Sequence, residues 1–333
     1  MSVAVLGGGS WGTALADLLA SKGVEVVLWA YEPEVAEEIN RRHRNDLFLP
    51  EAPLAPSLRA TNDMREALRG ADVVLAVPPS HVARAVLREA ARHASSGVLV
   101  ISASKGLEPE TLKRMSEVAL EELRGAAVVA LSGPTFAREV YQRQPTACVA
   151  ASSDAAAAKR AQQLLSAPHF RVYTNDDVIG VELAGALKNV IAIAAGILEG
   201  LGIGHNTRAA LITRGLAEMT RLGVALGANP LTYAGLAGMG DLVLTATGPL
   251  SRNRSLGVEL GKGATLADIQ ARRLSVAEGV GTARTAVALG ERVGVELPIS
   301  REVGRVLFEN KPPRQAIAEL MERTLTSERG ESQ

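Results

Sequence analysis

Cysteine and aromatic residues are both scarce in this chain. Cys148 is the only cysteine among 333 residues, so no disulfide can form within the chain. Aromatic residues make up 3% of the sequence and hydrophobic residues 47%, so the cores must be built from alanine, leucine and valine. A lone cysteine is typical of proteins kept in a reducing compartment, and we therefore expect a cytoplasmic location.

The sequence also lacks an excess of either charge and any spacing typical of metal ligands. Lysine plus arginine number 36, as do aspartate plus glutamate. Nucleic-acid binders usually carry a basic excess, so a nucleic-acid partner is not expected. No two of the five histidines are four residues apart, and with a single cysteine no metal site is predicted.

Neither a secretion signal nor a membrane span is expected. Residues 2–6 run straight into glycines and lack the basic segment of a signal peptide. The most apolar stretch, residues 181–201, carries Glu182, Lys188 and Asn189. Because a lysine at the centre of a span costs ~2.5–3.5 kcal/mol on insertion scales, we interpret this stretch as a buried helix.

Short apolar runs alternate with helical segments through the first half of the chain. The runs are almost uninterrupted valine, isoleucine and leucine, as in parallel strands covered on both faces. This alternation predicts an α/β fold with a Rossmann-type doubly wound parallel sheet. The predicted strands are Val3–Leu6, Val24–Trp29, Val73–Val77, Val98–Ser102, Val128–Leu131, Thr146–Ala151 and Phe170–Tyr173, and the predicted helices include Gly12–Lys22, Val82–Arg92 and Pro109–Leu123.

The pattern changes near residue 176, beyond which helical periodicity predominates. Glycine and proline separate the helices, which predicts an all-α C-terminal domain. We therefore predict an α/β domain over residues 1–176, a helical domain over 177–323, and a disordered polar tail over 324–333. The predicted helices run over 178–200, 206–227, 251–261, 281–293, 297–308 and 313–322.

A glycine-rich turn follows the first predicted strand. Its sequence, Gly7-Gly8-Gly9-Ser10-Trp11-Gly12, fits the pattern G-x-G-x-x-G. In this pattern Gly7 allows a tight turn, Gly9 lets the backbone approach a pyrophosphate, and Gly12 lets the helix pack on the strand. The helix N-terminus then offers N–H groups to the phosphates. Because the motif follows a strand and opens a helix, it predicts that residues 1–176 bind a dinucleotide.

The end of the second predicted strand bears on the choice of dinucleotide. Glu32 lies about 20 residues past Gly12, the offset of an acid that binds the ribose 2′-hydroxyl of NAD. It could equally cap the helix that starts at Pro33. No arginine directly follows the strand to hold the 2′-phosphate of NADP. The expected cofactor is therefore NAD(P)H, with the choice between the two left open.

Two loops at the expected carboxyl edge of the sheet carry candidate site residues. Lys105 follows the fourth predicted strand, and the hydroxyl-rich loop Ser132–Thr135 follows the fifth. Open α/β sheets bind ligands outside the carboxyl ends of their strands, so both loops are candidates. Either could instead be an ordinary solvated turn.

Lys188 stands inside the apolar helical stretch Leu183–Ile193. A lysine is almost never buried without a partner or a purpose. Burial and a second cation lower the pKa of a lysine, which lets it act as the base that alcohol oxidation needs. The alternative is a lysine that extends to the surface. Asn189 is a candidate orienting group, whereas Glu182 is expected to be structural.

Donor groups concentrate at the helix start Thr247–Ser255. Ser251 is a good N-cap, and Arg254 stands where a capping-box glutamate would be, so the helix end is expected to be electropositive. With Arg252 nearby, this end suits a phosphate or another dianion, and a capped surface helix is the alternative. Upstream, Asp241 could accept hydrogen bonds from substrate hydroxyls or position Lys188.

Together these segments resemble the bacterial-type NAD(P)-dependent glycerol-3-phosphate dehydrogenases. The matching blocks follow one another in order over nearly the whole chain, and residues 187–190 and 251–254 are specific to this family. The blocks are residues 7–14, 77–81, 104–108, 132–137, 187–192, 213–219, 240–242, 251–254 and 276–279. The resemblance implies a Rossmann domain that binds the dinucleotide, followed by an all-helical domain that binds the substrate.

The resemblance also implies roles for individual residues. Lys188 corresponds to the proton acceptor of the family. The implied substrate contacts are Lys105, Gly133, Thr135, Lys188, Asp241, Ser251, Arg252 and Asn253. The implied cofactor contacts, besides Gly7, Gly9 and Gly12, are Ser10, Trp11, Tyr31, Lys105, Ala137, Arg252, Val276 and Glu278. Tyr31 replaces the histidine or arginine of many bacterial relatives, which weakens the usual argument for NADPH. Residues 276–278 also differ slightly from the commoner Val-Val-Glu.

The implied reaction interconverts sn-glycerol 3-phosphate and dihydroxyacetone phosphate with NAD(P), and supplies glycerol 3-phosphate for phospholipid synthesis. An alternative is a 3-hydroxyacid or sugar-acid dehydrogenase of the same two-domain plan, whose carboxylate would bind at the same helix start. A nucleotide-sensing regulator without turnover would not need Lys188. A homodimer is the assembly we consider, but the sequence leaves the oligomeric state, the favoured direction and feedback control open.

Overall fold

A computed structural model describes residues 1–272, 277–325 and 327–328, and its first 175 residues form an eight-stranded sheet with helices on both faces. The strands are β1 Ser2–Leu6, β2 Glu25–Trp29, β3 Arg59–Thr61, β4 Val73–Ala76, β5 Leu99–Ser102, β6 Ala127–Ser132, β7 Thr146–Ala151 and β8 Phe170–Asn175. The helices are α1 Ser10–Ser21, α2 Pro33–Arg42, α3 Met64–Ala67, α4 Ala83–Ala91, α5 Met115–Glu122, α6 Ala137–Tyr141 and α7 Ala155–Leu165.

The sheet is doubly wound and almost wholly parallel. Its strand order is β3-β2-β1-β4-β5-β6-β7-β8, and β7 pairs antiparallel with β6 while β8 runs parallel to β7. The order reverses beside β1, which lies between β2 and β4. Such a switch point is where doubly wound sheets bind ligands. The predicted Rossmann-type sheet is thus confirmed, with β7 and β8 running opposite to the first six strands.

The uninterrupted apolar runs are explained by two apolar layers, one on each face of the sheet. Successive residues of β1 enter different layers, with Val3 and Val5 in one and Ala4 and Leu6 in the other. Side chains alternate between faces along a strand, so a strand covered on both sides has to be apolar at every position.

Two features of this half differ from the sequence expectations. The short strand β3 was not predicted, because Arg-Ala-Thr is not an apolar run. The helix predicted over Pro109–Leu123 is wrong in its first six residues, since α5 begins only at Met115. Leu107 and Arg114 form an isolated β-bridge, and Leu112 adopts a φ of 61°, so the segment between them is a turn rather than helix.

The described part of the second half is helical. Its helices are α8 Val178–Gly200, α9 His205–Ala225, α10 Pro230–Tyr233, α11 Asp241–Thr247, α12 Arg252–Gly261, α13 Leu266–Arg272, α14 Glu278–Val293, α15 Pro298–Phe308 and α16 Pro313–Met321, with a π-helical turn at Leu236–Gly240. The all-α prediction is confirmed for the described residues. The domain limits 1–176 and 177–323 stay a prediction, and most of the predicted tail 324–333 lies outside the described residues.

The long helix α8 is the centre of the helical half. It is long and apolar enough to cross a membrane, but 89% of its most apolar window is buried inside the protein. It contacts α9, α11, α12 and α14, in agreement with its interpretation as a core helix. Glycines let α12 come close, since a Cβ at Gly257 would lie 2.1 Å from the Ile193 carbonyl oxygen. Lys188 therefore sits on a helix that neighbours fix from several sides.

Candidate functional site

The glycine-rich turn has the geometry that a dinucleotide needs. Gly7 adopts a φ of 126°, and a Cβ at Gly12 would lie only 1.9 Å from the Gly7 carbonyl oxygen, so both positions exclude side chains. A Cβ at Gly9 would meet no atom within 4 Å. Gly9 is also the N-cap of α1 and has no side chain to cap the helix. The turn thus leaves open space at a helix N-terminus, which fits a pyrophosphate.

Asn45 holds this turn from the loop after α2. Its side chain is fully buried and donates hydrogen bonds to the Gly8 carbonyl and the Thr13 hydroxyl, both at 2.8 Å. The Thr13 hydroxyl itself donates to the Gly8 carbonyl at 3.1 Å. Asn45 escaped sequence reasoning because an asparagine in a loop gives no local signal of a contact 37 residues away.

Several of the other residues assigned to the cofactor lie around the turn. Tyr31 is 79% exposed at the end of β2. Glu32 is the N-cap residue of α2, but its side chain makes no capping hydrogen bond, so its role toward a ribose stays a prediction. Trp11 and Ala137 pack in one small apolar cluster beside Leu49, so the starts of α1 and α6 are neighbours.

The loops after β5 and β6 meet through Lys105, as expected at a shared sheet edge. Its ammonium group donates to the Gly133 carbonyl at 2.8 Å and to the Thr135 hydroxyl at 3.2 Å. It also forms an ion pair with Asp241 of α11, at 2.8 Å from Oδ2. Lys105 thereby joins the sheet to the helical half.

Lys188 reaches the same carboxylate from α8. Its ammonium group lies 2.5 Å from Oδ1 of Asp241 and 2.8 Å from the Thr245 hydroxyl. Lys188 and Asp241 are 5% and 1% exposed, so the alternative of a lysine that reaches the surface is excluded. Thr245 was not predicted, although it follows Asp241 by four residues and therefore lies on the same face of α11.

The carboxylate between two ammonium groups governs the electrostatics of this site. Burial lowers the pKa of Lys188 to about 8, Asp241 opposes the change, and Lys105 adds to it. Burial alone would raise the pKa of Asp241, but Lys105 and Lys188 hold that pKa below its usual value. Two cations and one anion leave a net positive charge, which favours an anionic or electron-rich ligand.

The two lysines differ in what they have left to donate. An ammonium group carries three donors and no acceptor. Lys105 directs three donors to Gly133, Thr135 and Asp241, whereas Lys188 has two partners among the described residues, Asp241 and Thr245. One donor of Lys188 is thus available to a ligand, and it belongs to the lysine with the lowered pKa.

The start of α12 is connected by a hydrogen bond to Asn189, the residue that follows Lys188. Ser251 caps α12 by accepting a hydrogen bond from the Arg254 N–H at 3.2 Å. The Asn253 amide donates to Oδ1 of Asn189 at 3.0 Å and accepts from the Gly279 N–H at 2.9 Å. This chain of amides ties α8, α12 and α14 together and holds Asn189 in place, while its orienting role stays a prediction.

The two arginines of this helix start have different surroundings. Arg252 is exposed, as a ligand contact requires. Arg254 instead forms a two-pronged ion pair with Glu199 of α8, at 2.6 and 2.9 Å. Glu199 also pairs with Arg208 at 3.5 Å, so two arginines share one carboxylate, and the electropositive character of this helix end stays a prediction.

Glu278, an assigned cofactor contact, is the first residue of α14. Burial raises the pKa of Glu278, while Arg252, Lys188 and Lys105 act in the opposite direction. Glu278 thus lies within the electrostatic reach of all three cations. Val276 lies outside the described residues.

Glu182, expected to be structural, accepts hydrogen bonds from the backbone and side chain of Ser116 at the start of α5.

Comparison with known proteins places the whole chain in one family. Residues 2–158 match the model of the NAD-dependent glycerol-3-phosphate dehydrogenase N-terminus, and residues 177–318 match that of the C-terminus. A protein of Geobacter metallireducens named glycerol-3-phosphate dehydrogenase (NAD(P)+) is 57% identical over 331 residues, which cover 98% of this chain and 99% of that protein.

Solved structures give the same picture. The crystal structure of glycerol-3-phosphate dehydrogenase from Coxiella burnetii has a TM-score of 0.93 at 41% identity, and covers 97% of this chain and 99% of the other. Glycerol-3-phosphate dehydrogenase of Saccharomyces cerevisiae has a TM-score of 0.83 at 29% identity, with the same coverage. The similarity therefore extends over both the sheet and the helical half.

Proposed function

The chain belongs to the NAD-dependent glycerol-3-phosphate dehydrogenase family, and we propose that it interconverts sn-glycerol 3-phosphate and dihydroxyacetone phosphate with NAD(P) at the site described above. The observation that carries this proposal is the buried contact between Lys188 and Asp241. It supplies a proton-transferring group with one donor free for a ligand, beside a sheet edge whose glycine turn fits a dinucleotide.

The residues of the turn would hold the cofactor. Gly9 provides open space for the pyrophosphate, and the N–H groups at the start of α1 provide donors for it. Bound nicotinamide would supply hydride to the carbonyl carbon of the substrate, or accept it from the alcohol in reverse. Ser10, Trp11, Tyr31, Ala137 and Glu278 are the further residues that we assign to its binding.

Lys188 would transfer the proton of the reaction. In the reducing direction its ammonium group donates a proton to the oxygen on C2 as the alcohol forms. In the oxidising direction the neutral amine accepts that proton. A pKa of about 8 lets both forms be populated near neutrality, which general acid–base catalysis requires. Asp241 and Thr245 hold the amine in one direction while this happens.

The phosphate of the substrate would bind at the start of α12. Arg252 is exposed there and can add a charge-assisted hydrogen bond, and Ser251 and Asn253 flank it. Lys105 would contribute mainly by charge and by holding Asp241, because its three donors already have protein partners. Gly133 and Thr135 complete the proposed substrate contacts.

The direct test follows the oxidation of NADH or NADPH with dihydroxyacetone phosphate by the purified protein. We expect turnover with this substrate and with sn-glycerol 3-phosphate in reverse. A panel of 3-hydroxyacids and sugar acids serves as the comparison. Turnover of a carboxylate substrate at a higher kcat/KM than dihydroxyacetone phosphate would contradict the proposed reaction in favour of the alternative.

We further propose that this reaction supplies glycerol 3-phosphate for phospholipid synthesis in the cytoplasm. The free, buried thiol of Cys148 is compatible with a reducing compartment. Metal independence, a homodimeric assembly and the domain limits near residue 176 stay predictions. Depletion of the protein in its host should lower cellular glycerol 3-phosphate, and added glycerol should restore growth only where a glycerol kinase is present.

A further inference from the structure

Glu108 and Arg84 form a partly buried ion pair that the proposed chemistry does not use. The Glu108 carboxylate is 9% exposed and accepts two hydrogen bonds from the Arg84 guanidinium, at 2.7 Å each. Glu108 also accepts from the Thr111 hydroxyl. A two-pronged arginine–carboxylate pair fixes the direction of both groups as well as their distance.

Glu108 lies three residues beyond Lys105 on the same loop, whereas Arg84 is on α4. Before Lys105, the Ser104 hydroxyl donates to the Pro78 carbonyl at 2.5 Å. After Lys105, a Cβ at Gly106 would lie 2.5 Å from the Ser80 hydroxyl, so the loop presses on the chain that follows β4. Both ends of the loop are thus attached to the segment from β4 to α4, and Arg84 makes the charged attachment.

We propose that Glu108 is a positioning residue, which acts through Arg84 to hold the Lys105 loop so that Lys105 meets Asp241. The inference rests on the proposed function, because the position of Lys105 matters only if Lys105 takes part in that reaction. If the loop shifts, Lys105 loses its direction toward Asp241, and the carboxylate between the two lysines is held from one side only.

The chain offers a matched control on the same arginine. Arg84 also pairs with Glu122 of α5 at 2.8 Å and with Glu121 at 2.9 Å. Glu122 is on a helix, away from the Lys105 loop. Glu108→Gln and Glu122→Gln therefore remove one ion-pair partner each from Arg84, and only the first loosens the loop. Arg84 keeps two carboxylates in either variant, so folding should survive.

The test is a double-mutant cycle on dihydroxyacetone phosphate reduction. We expect Glu108→Gln to lower kcat/KM for this substrate by about tenfold, since misplacement of about 1 Å can cost a hundredfold. The dissociation constant of NADH should stay within about twofold. In a Lys105→Met background the Glu108→Gln change should have no further effect, because residues acting through one group are not additive.

A second readout separates positioning from general loss of structure. Lys188 is faced by Asp241, Lys105 and Glu278, and a displaced Lys105 no longer lowers its pKa. The pH above which reductive kcat/KM falls should thus rise in Glu108→Gln and in Lys105→Met, and stay unchanged in Glu122→Gln. If Glu108→Gln does not fold, Ser104→Ala releases the other attachment of the loop and is measured instead.

The outcomes are distinguishable. A tenfold loss in Glu108→Gln that persists in the Lys105→Met background would overturn the inference, as would equal losses in Glu108→Gln and Glu122→Gln. If Lys105→Met has no effect on dihydroxyacetone phosphate reduction, the role of Lys105 in the proposed function fails instead.

Discussion

The glycine turn Gly7–Gly12 and the cluster around Asp241 belong to the same proposed site but are built in different ways. The turn consists of backbone and of positions where a side chain has no room, as at Gly12. The cluster consists of charged side chains from three distant segments, which converge on one carboxylate with 1% exposure. One region works by shape, and the other by charge.

This difference separates the two regions experimentally. Glycines do not titrate, so changes in the turn should act on cofactor affinity or stability with little dependence on pH. The pKa of Lys188 is set by its surroundings, so changes in the cluster should alter the pH dependence of turnover. A residue can thus be assigned to one region by the kind of effect that its substitution has.

Lys188→Met is expected to have the largest effect. Among the described residues of the cluster, it removes the one group with a donor left for a ligand, so kcat should fall by ~100-fold or more, the usual contribution of general acid–base catalysis. NADH binding, measured by fluorescence titration, should persist. Wild-type-like turnover in this variant would show that Lys188 does not transfer the proton.

The pH profile of the wild type gives the matching control. Reduction needs protonated Lys188, so kcat/KM for dihydroxyacetone phosphate should fall above pH 8, and oxidation of glycerol 3-phosphate should rise toward a plateau there. The residual activity of Lys188→Met should lack this transition. A transition that survives in the variant belongs to another group.

Arg252→Leu is expected to have the next largest effect, and it tests whether Arg252 binds the substrate phosphate or the cofactor. A charge-assisted hydrogen bond contributes ~1.5–3 kcal/mol, so KM for dihydroxyacetone phosphate should rise by roughly ten- to hundredfold. The effect on NAD(P)H should be smaller. Unphosphorylated dihydroxyacetone is the control, and its slow reduction should barely change. Equal loss with both substrates would mean that Arg252 holds the cofactor or the fold.

Gly12→Ala and Gly9→Ala should separate the contribution of the turn to stability from its contribution to NADH binding. A Cβ at Gly12 would collide with the Gly7 carbonyl, and overpacking of this kind costs ~1–3 kcal/mol, so Tm should fall by several degrees. A Cβ at Gly9 meets no protein atom. Gly9→Ala should therefore keep its Tm and weaken NADH binding by about tenfold, or ~1.4 kcal/mol. An unchanged dissociation constant would show that no phosphate approaches Gly9.

The smallest effect is expected for cofactor choice. Tyr31 is exposed at the end of β2, and no arginine directly follows that strand to pair with a 2′-phosphate. We expect kcat/KM for NADH and NADPH to differ by less than about tenfold, or ~1.4 kcal/mol. A thousandfold preference for either would require a 2′ pocket that these residues do not explain.

Much of the fold could be predicted because its signals are local. Strands covered on both faces need apolar residues throughout, so most of the sheet is visible in the sequence, and β7 was predicted with its observed limits. The strand β3 was missed because three residues with an arginine carry no such signal. The turn before α5 was missed because Leu112, a residue with good helix propensity, adopts a left-handed conformation.

Site residues could be predicted where the chemistry requires a particular residue type. Contacts between residues that are distant in the sequence could not. A lysine is rarely buried in an apolar helix without a partner or a function, so Lys188 could be identified as a candidate from the sequence alone. That Lys105 and Lys188 share Asp241 depends on segments more than 50 residues apart, and no local rule contains it. For the same reason the contact of Thr245 with Lys188 and the ion pair of Arg254 with Glu199 were not predicted.

Because β7 and β8 run in the reversed direction, the length of α8 before Lys188 determines how high the ammonium group of Lys188 lies along the sheet. Asn175, the last residue of β8, is in register with Ala151 and through it with Ala130, two residues short of the carboxyl end of β6. The chain therefore enters α8 below the rim where Lys105 stands, and ten residues, about 15 Å of helix, separate Val178 from Lys188. Deleting one of them would lower the ammonium group by about 1.5 Å and rotate it by about 100°, away from α11. The length of this stretch is therefore tied to the height of the sheet.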